Sequence, residues 1–469
     1  MAHYGRPVFY DPVYKANICL DALEMDIIHC AELERLRRIR QLSVADIVYP
    51  HAKHTRFEHS IGTNYLTKVI MDRLQFDLKT GYSITHDDIK QVGIAALIHD
   101  IGHSALGYAV DRFLDLLGER KSFTDKHVAK MMLCGEIELE VAGHRSIPRA
   151  VELLEKYESR GLAPQLLSQI ITGNHPEPSK MYIANLICSE VDVDRMDYII
   201  RDAYNTIPFA LYDLEGIMSN LRVRDVEGFH GSETPRILAI SFDGVPSVES
   251  MFASEAILYR RLYSHRLVRI LHSMASRALF YARDEYKPLL QAVWLRTDDG
   301  LLQDLASCSI DNSRRIAGDI INGCPYYVSD TLSYGYSNMS YEARSEISHL
   351  ILHPDTLLKL EQELADAVDL GIGEVIVDVM PRLRSSLPDY LMPVILPREE
   401  GLVDLREVSY LAHALVPQKT LQALPNVIVG FRVDDKAVAW KRKQPSKKVE
   451  SMTQRLHGVM TSLVTCHQR

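Results

Sequence analysis

The sequence predicts a mainly α-helical protein with two parts. The first is a helical core over residues 1–290 that includes one small β-hairpin, and the second is a smaller α+β region over residues 291–469. Two observations predict this fold class. Apolar residues recur at helical spacing through most of the first region. Beyond residue 370, two runs rich in β-branched residues are typical of strands. We expect the second region to pack on the core and to take part in oligomer contacts.

The composition limits the function classes. The 469 residues are 46% hydrophobic and 25% charged, with a net charge of −9, which is typical of a globular protein and argues against a mainly electrostatic nucleic-acid binder. The seven cysteines contain no C-x-x-C pair and the chain begins without a signal peptide, so we expect reduced thiols in a cytoplasmic protein. The longest apolar runs are too short for a membrane span.

The N-terminal elements lead to a candidate ligand. Residues 1–20 suit a short edge strand or turn, because two prolines interrupt a run of β-formers. A helical pattern follows from Leu20 to Gln41. Its end carries the arginines Arg35, Arg37, Arg38 and Arg40. This arginine cluster is either a solvated helix end or an anion pocket. The next helix begins near Thr55 or Arg56 and places His59 on the inner side of its first turn.

The most informative stretch ends a buried helix. The apolar pattern from Asp87 to Ile98 stops abruptly at His99 and Asp100. Burying these two side chains is unfavourable unless a partner satisfies them. A metal cation is one such partner, and a hydrogen-bonded His–Asp pair at the helix end is the alternative. A helix then continues from Ser104 to Leu117.

A third helix, predicted from Tyr182 to about Asn205, carries a polar stripe. Asp194, Tyr198 and Asp202 fall at i, i+4 and i+8 on one face. Stacked acids on one face repel each other, so the stripe is either a solvated charged face or part of a site.

The later elements carry no catalytic signature of their own. Two runs at 221–224 and 237–242 predict a β-hairpin, and one long helix is expected from Pro246 to about Asp284. The elements predicted beyond are strands at 374–379 and 427–433 and a final helix from about Lys448.

Matching ligand types on three predicted helices favour a metal site. The candidate ligands are His59, His99, Asp100 and Asp194. Two imidazoles with two carboxylates suit a borderline divalent metal such as Mn, Fe, Ni, Co or Zn, and an additional Mg at the phosphates stays open. Such a metal polarises a phosphoryl oxygen and lowers the pKa of a bound water. His103 is then placed as general acid or base, and Arg56 to neutralise phosphate charge.

The spacing of these ligands is the H…HD…D pattern, and its flanks resemble a known family. The segments that carry the resemblance are residues 35–42, 55–62, 97–103, 192–204 and 261–266. Together they resemble the deoxynucleoside triphosphate triphosphohydrolase branch of the HD-domain phosphohydrolases, which includes bacterial dGTPase-like enzymes. The resemblance implies an HD-domain helical core, a homo-oligomer (dimer or tetramer), and metal-dependent hydrolysis of a dNTP to deoxynucleoside and tripolyphosphate.

The resemblance also implies roles for single residues. The catalytic residues carried over are His103, Asp111 and His127, although Asp125 aligns about as well as His127. The substrate-binding residues carried over are Gln41, Leu42, Arg56, Tyr108, Arg195, Tyr198, Asp202 and Tyr263. In the family, nucleotides bound between subunits near the arginine cluster activate many members, so a nucleotide activator is a further expected partner.

Two positions depart from the family pattern. Tyr108 stands where a histidine is common, and Glu255 stands where relatives often carry a phosphate-binding arginine. Both changes reduce positive charge near the phosphates. Either the activity is retained despite them, or the substrate is another phosphoester such as a monophosphate, a cyclic nucleotide or a modified nucleotide. A weakly catalytic nucleotide-sensing oligomer is the third hypothesis.

Overall fold

The computed structural model confirms a mainly helical protein. It describes residues 8–75, 83–119, 123–136, 149–226, 234–285, 293–294, 296–335, 353–379, 392–397, 401–411, 425–440 and 444–465. Helices dominate these ranges, and three small sheets accompany them. None of the helices in this part of the chain combines the length and apolar character that a bilayer crossing requires.

The first half of the chain is a helical bundle behind a short hairpin. The strands β1 (Val8–Asp11) and β2 (Ala16–Cys19) pair in an antiparallel manner. The helices that follow are α1 (Ala22–Ile28), α2 (Ala31–Leu36), α3 (Arg56–Gln75), α4 (His86–Ile98), α5 (Tyr108–Leu117), α6 (Asp125–Leu133), α7 (Ala150–Glu155), α8 (Pro164–Ile171), α9 (Met181–Ile187), α10 (Val193–Thr206) and α11 (Leu214–Asn220).

Helix α3 is the centre of this bundle and packs against α4 and α10. Its contact with α10 is close at Gly62, where a Cβ atom would lie 2.0 Å from Asp197 Oδ1. A glycine at this point therefore lets the two helices that carry candidate ligands approach each other.

The second half mixes helices with two sheets. Its elements are β3 (Leu221–Asp225), β4 (Arg236–Ser241), α12 (Val245–Leu258), α13 (Arg266–Ala282), α14 (Asp298–Ser307), α15 (Asp311–Ile321), β5 (Tyr327–Gly335), α16 (Pro354–Asp366), β6 (Val375–Val379), β7 (Pro393–Ile395), β8 (Leu402–Asp404), α17 (Leu405–Val408), β9 (Pro425–Phe431), α18 (Lys436–Ala439) and α19 (Lys447–Thr465). The predicted hairpin is confirmed as β3 and β4, and the predicted strands and final helix as β6, β9 and α19.

The sheets also show how the C-terminal elements meet the core. Strand β7 adds to β4 in parallel, and β8 pairs with β7, so the hairpin becomes a four-stranded sheet. Strands β5, β9 and β6 form a second, antiparallel sheet. Apolar residues of α14 and α15 belong to the main core, whereas the second sheet packs with α16 and α19 around a smaller one. The boundary between residues 290 and 291 stays a prediction.

Four predicted helices are shorter than expected. The helix expected from Leu20 to Gln41 is two helices, α1 and α2, which are separated by His29 and the extended Cys30 and end at Leu36. The helix expected from Tyr182 is two helices, because the extended Asp192 interrupts it and caps α10 by accepting a hydrogen bond from the Arg195 N–H. The long helix expected from Pro246 passes into a π-helical turn at Tyr259–Tyr263 and restarts after His265. Helix α5 begins at Tyr108 rather than Ser104, because a positive φ at Leu106 breaks the chain direction.

Buried ion pairs join the second sheet to α13, and we call them the α13–β6 ion network. Asp378 on β6 accepts hydrogen bonds from Arg269 and from Ser273 Oγ, and it also pairs with Arg112. Arg277 donates to Glu361 through Nε (2.9 Å) and Nη2 (2.7 Å). Every carboxylate in this network therefore meets at least one guanidinium.

Candidate metal centre

Three helix ends bring the candidate ligands together. His59 lies in the first turn of α3, His99 and Asp100 follow the last turn of α4, and Asp194 lies in the first turn of α10. The two imidazoles are fully or almost fully buried, whereas the Asp194 side chain is 27% exposed. The cluster is therefore closed on the histidine side and open at Asp194.

The ligand atoms converge on one point. His59 Nε2 lies 3.2 Å from His99 Nε2 and 3.1 Å from Asp194 Oδ1. His99 Nε2 lies 3.8 Å from the same oxygen. We call these three side chains the ligand trio. They form a group whose donor atoms could hold one metal ion.

The outer hydrogen bonds fix the tautomer of each imidazole. His59 Nδ1 lies 2.7 Å from Asp197 Oδ2, and His99 Nδ1 lies 2.7 Å from the carbonyl oxygen of Ala96. Since both partners accept hydrogen bonds, each Nδ1 carries a proton, and each Nε2 presents a lone pair to a metal that displaces any proton held there. Two lone pairs and a carboxylate oxygen thus face one another, and a cation satisfies all three. The donor set fits the predicted divalent metal.

The electrostatics of the trio agree with this assignment. Burial alone would lower the pKa of His59, but hydrogen bonds with Asp194 and Asp197 raise it to about 10. Burial likewise opposes a charge on His99, but Asp100 and Asp194 raise its pKa. The carboxylates therefore create a local field that favours added positive charge.

Asp100 lies beside the trio with different partners. Its Oδ2 accepts a hydrogen bond from Arg56 Nη1 (2.8 Å) and lies 3.8 Å from His59 Nε2, while its Oδ1 lies 3.1 Å from His103 Nε2. His99 Nε2 lies 3.4 Å from Asp100 Oδ1, so the predicted His–Asp pair is present at the helix end, while His99 Nδ1 donates to the Ala96 carbonyl oxygen. The role of Asp100 as a ligand stays a prediction.

Asp197 is a positioning residue that the sequence analysis missed. Besides His59, it accepts hydrogen bonds from Arg201 Nε (2.8 Å) and Nη2 (2.9 Å) and from the Tyr14 hydroxyl (2.6 Å). Such outer partners set the orientation and basicity of a metal-binding histidine. Its position three residues after Asp194 is the only sequence signal, and that spacing alone does not distinguish it from a surface acid.

His103 is held between two carboxylates. Its Nε2 lies 3.1 Å from Asp100 Oδ1 and 3.1 Å from Asp125 Oδ2. The structure brings Asp125, and not His127, to this position, and the His127 side chain is exposed two residues further along α6. The sequence analysis left these two residues as alternatives, and only the packing of α6 separates them.

Neither alternative predicted for the arginine cluster describes Arg35 and Arg40, because contacts within the protein hold both side chains. Arg35 donates to the carbonyl oxygens of Ile101 (3.3 Å) and His103, so it holds the loop that carries His103. Arg40 pairs with Asp299 (2.9 Å). Asp298 next to it is buried and accepts main-chain hydrogen bonds from Arg40 and Leu106. These contacts fix the loop between α4 and α5.

The predicted substrate residues form two hydrogen-bonded groups. Arg195 Nη1 lies 3.1 Å from Glu255 Oε2, and the Tyr198 hydroxyl donates to Glu255 Oε1 (2.6 Å). The Tyr263 hydroxyl donates to Asp202 Oδ2 (2.6 Å), and Asp202 also pairs with His54. Glu255, which departs from the family pattern, is therefore the buried partner of two residues predicted to face substrate.

One cavity borders the centre at Asp194, and a second lies beside predicted substrate residues. The metal-side cavity, of ≈ 510 Å³, is lined by residues that include Lys126, Cys188, Asp194, Arg195 and Tyr198. The inner cavity, of ≈ 220 Å³, is lined by residues that include Leu42, Tyr108, Asp111, Tyr263 and His272. Asp111 thus lies in the wall of the inner cavity, and its predicted catalytic role stays a prediction. Gln41 is buried next to Leu42, with its N–H donating to the His54 carbonyl oxygen.

Lys126 is a second residue that the sequence analysis missed. Its ammonium donates to Cys188 Sγ (3.0 Å), and within the described ranges no carboxylate lies close enough to form an ion pair with it. Burial opposes its charge, but Asp192 and Asp194 raise its pKa, so it is a cation facing the metal-side cavity.

Comparison with known proteins gives two matching family models. One, an HD domain, matches residues 56–202, and the other, an HD associated region, matches residues 230–424. The chain is 26% identical over 332 residues to the deoxynucleoside triphosphate triphosphohydrolase SAMHD1 homolog of Dictyostelium discoideum, covering 68% of this chain and 60% of that protein. It is 25% identical over 408 residues to human deoxynucleoside triphosphate triphosphohydrolase SAMHD1, covering 78% of this chain and 63% of that protein.

A Bacillus subtilis protein, YwfO, is 28% identical over 278 residues, covering 59% of this chain and 56% of that protein. The chain thus spans less than two thirds of the length of these relatives. A crystal structure of a phosphohydrolase from Bacteroides thetaiotaomicron has a TM-score of 0.63 at 18% identity, covers 91% of this chain and 100% of that one, and shows the same fold. The chain thus carries an HD domain followed by an HD associated region, and these matches, together with its similarity to SAMHD1 proteins, support its placement in the HD-domain, dNTPase-like branch.

Proposed function

We propose that this protein hydrolyses deoxynucleoside triphosphates to deoxynucleoside and tripolyphosphate at a divalent metal held by the ligand trio, with Asp100 as a fourth ligand. The observation that carries the proposal is the convergence of two imidazole lone pairs and one carboxylate oxygen on one point. The reaction named for two relatives, SAMHD1 of human and of Dictyostelium discoideum, supports the choice of substrate.

The metal supplies Lewis acidity and a water of lowered pKa when it is bound. Arg56 is oriented by its hydrogen bond to Asp100, and its buried Nε has no partner among the described residues. We assign this N–H to a phosphate oxygen, because a buried unsatisfied donor gains most from a charged acceptor. Arg56 then binds a phosphate oxygen through Nε while its Nη1 keeps the hydrogen bond to Asp100.

His103 is assigned to proton transfer. The carboxylates of Asp100 and Asp125 lie 3.1 Å from its Nε2 and hold the imidazole in one orientation beside the metal centre. Breaking the bond to the nucleoside leaves an alkoxide that needs a proton, and a positioned imidazolium supplies it. Asp125 acts through His103 and is a positioning residue.

The phosphates are assigned to the metal-side cavity. Asp194 lines it, so a phosphate oxygen at the metal lies at its mouth. The Lys126 ammonium faces the same cavity with a thiol as its hydrogen-bond partner. Because a thiol is a weak acceptor, the ammonium gains a stronger hydrogen bond from phosphate.

Glu255 favours a second candidate function, which is hydrolysis of a nucleotide with fewer phosphates. Glu255 is buried and engages both Arg195 and Tyr198, so it neutralises a cation that a triphosphate would need. If the substrate is a monophosphate, Glu255→Gln should lower activity on it and raise activity on triphosphates, measured as kcat/KM for dAMP and dATP.

The proposal is tested by identifying the products. The purified protein with Mn²⁺ is incubated with each dNTP, alone and with other nucleotides present, and the products are separated by ion-exchange chromatography. We expect deoxynucleoside and tripolyphosphate in equal amounts, and neither with Asp194→Ala. Release of inorganic phosphate or pyrophosphate instead, or no turnover of any mixture, contradicts the proposal. The homo-oligomer, the nucleotide activator and the cytoplasmic location stay predictions.

A further inference from the structure

The loop that carries His103 is held by a segment far along the chain. Residues 99–107 form turns between α4 and α5, so their main-chain groups need partners from elsewhere. One such partner is the indole N–H of Trp294, which donates to the Gly102 carbonyl oxygen (3.0 Å) across 192 positions of sequence. The neighbouring Val293 accepts a hydrogen bond from the Ala105 N–H (2.8 Å). Two consecutive residues outside the HD domain match therefore contact this loop.

The Trp294 hydrogen bond fixes the peptide unit that carries His103. The Gly102 carbonyl oxygen lies in the same planar peptide unit as the His103 N–H, and this N–H donates to the Asp100 carbonyl oxygen (3.0 Å). Hydrogen bonds at both ends of one planar unit set the direction in which the His103 side chain leaves the main chain. Rotation of this unit would carry the imidazole away from its carboxylate partners.

Trp294 also contacts the segment that supplies Asp125. Its ring stacks on the Phe123 ring, with 5.3 Å between the ring centroids and an interplanar angle of 29°. Phe123 lies just before α6, and Asp125 is the first residue of that helix. The loop and the helix also meet directly, because a Cβ atom on Gly102 would lie 2.0 Å from the Asp125 carbonyl oxygen. One buried side chain therefore touches both segments that hold the His103–Asp125 pair.

We infer that Trp294 is a positioning residue for the proton transfer assigned to His103. Its N–H holds the loop that carries the imidazole and its ring packs on the segment that carries Asp125, so it sets the geometry of a pair whose atoms lie 3.1 Å apart. This inference rests on the proposed function for the role of His103. Trp294 lies within the HD associated region, so that region supplies part of the geometry of the centre.

Steady-state kinetics of the Mn²⁺-loaded protein with dNTPs test the inference. Trp294→Phe keeps an aromatic ring beside Phe123 and removes the N–H that donates to Gly102. We expect kcat to fall about tenfold while KM and Mn²⁺ content stay unchanged, because a displaced general acid slows the chemical step and not substrate binding. Trp440→Phe is the matched control, since that indole also donates to a glycine carbonyl, at Gly323 (2.9 Å), and its kcat should not change. An unchanged kcat in Trp294→Phe, or a loss of Mn²⁺, overturns the inference.

A second variant separates an effect through His103 from a general effect on the fold. His103→Gln removes the imidazole, so Trp294→Phe in this background should change the residual kcat by less than about twofold, because residues that act as a unit are not additive. Single-turnover measurements at high protein concentration give this residual rate. The same tenfold loss in both backgrounds would mean that Trp294 does not act through His103, and would overturn the inference.

Hydrogen exchange of the loop gives a result that does not depend on turnover. In Trp294→Phe, the main-chain amides of residues 101–106 should exchange about tenfold faster than in the unmodified protein, and in Trp440→Phe they should exchange at the parent rate. Mass spectrometry of the peptide that covers these residues measures the rates. Unaltered exchange in Trp294→Phe overturns the inference. Faster exchange in a protein that hydrolyses no dNTP would refute the proposed reaction and leave Trp294 as the residue that holds the His103 loop.

Discussion

Two buried clusters of charged groups in this protein differ in one respect, which is whether guanidinium groups of the chain pair with their carboxylates. In the α13–β6 ion network, Arg269 and Arg277 face Asp378 and Glu361 directly. In the ligand trio, two imidazole nitrogens face a carboxylate with which no arginine or lysine of the described residues forms an ion pair, so only a proton on His59 Nε2 or a metal cation joins them. Both clusters carry the desolvation penalty of burial, but only the network offsets it with its own partners.

This difference separates a structural cluster from a site. A buried network whose carboxylates are paired with guanidinium groups joins secondary-structure elements, here α13 with β6 and α16. A buried cluster without such pairs is stable when a ligand supplies the missing charge, and ionisable groups with perturbed pKa values concentrate at functional sites. Variants in the two clusters should therefore have opposite consequences for stability and activity.

The largest effect is expected from the trio. Asp194→Ala should lower turnover about 10³-fold or more, because a bound Lewis acid contributes several kcal/mol to the transition state. The metal-free variant should be only slightly less stable than the metal-free parent, since it loses one hydrogen bond from His59 while the burial of the Asp194 carboxylate is relieved. Turnover, metal content and melting temperature of both proteins check this. A melting temperature several degrees lower in the metal-free variant would show that the trio is a structural cluster.

Variants in the α13–β6 ion network should lower stability and leave metal binding unchanged. Among the described residues, Arg277→Met leaves the buried Glu361 carboxylate with one hydrogen bond, from the Val377 N–H at 2.8 Å. Breaking a buried pair in this way costs about 3–5 kcal/mol. The free energy of unfolding in urea measures it. The double variant with Glu361→Leu should recover most of the loss, and the folded fraction of Arg277→Met should bind metal normally. A loss below about 1 kcal/mol would contradict the distinction, because a pair of that strength is typical of the surface.

A smaller effect is expected from the outer partner of His59. Asp197→Asn weakens the acceptor that fixes the imidazole, and changes of this kind lower metal affinity about 10–100-fold. Competition with a chelator of known affinity measures it. Tyr14→Phe is the matched control, because it removes only the hydroxyl that donates to Asp197 Oδ1. Equal metal affinities of the two variants would mean that Asp197 does not position His59.

The smallest effect is expected in the metal-side cavity. Lys126→Met should weaken tripolyphosphate binding to the Mn²⁺-loaded protein about tenfold, the size of one charge-assisted hydrogen bond. Lys130→Met, on the same helix with an exposed side chain, is the control. If Lys126→Met changes metal content and leaves phosphate affinity unaltered, the ammonium is a counter-charge for the acids beside it.

The sequence located the candidate ligand side chains on helix turns better than it located their hydrogen-bond partners. His59, His99 and Asp194 lie in first or last turns of helices, where spacing and polarity mark them against apolar neighbours. The partners that orient them come from distant segments, as Tyr14 and Asp197 do, and no local pattern connects residues 183 positions apart. Likewise, the contacts of Glu255 with Arg195 and Tyr198 depend on the packing of α12 on α10, which no local pattern shows.

The helix ends show the same limit. Periodicity alone continued the third predicted helix through Asp192, whose side chain in the structure caps α10 instead. That cap places Asp194 in the first helical turn, where it faces the histidines. The position of α6 brings Asp125, and not His127, into contact with His103. The sequence could not separate these two residues, because both lie within one turn of the same helix. Local propensity sets the elements, and tertiary contacts select among adjacent candidates.

The most direct test of the account is a metal titration with turnover measured at each point. Protein stripped with a chelator is titrated with Mn²⁺, and bound metal and dNTP hydrolysis are recorded together. We predict that hydrolysis is absent without metal, rises in proportion to the amount of bound metal, and reaches its maximum when the ligand trio is fully occupied. Full hydrolysis by metal-free protein, or a filled trio with no hydrolysis of any nucleotide, would contradict the claim that the cluster is completed by a catalytic cation.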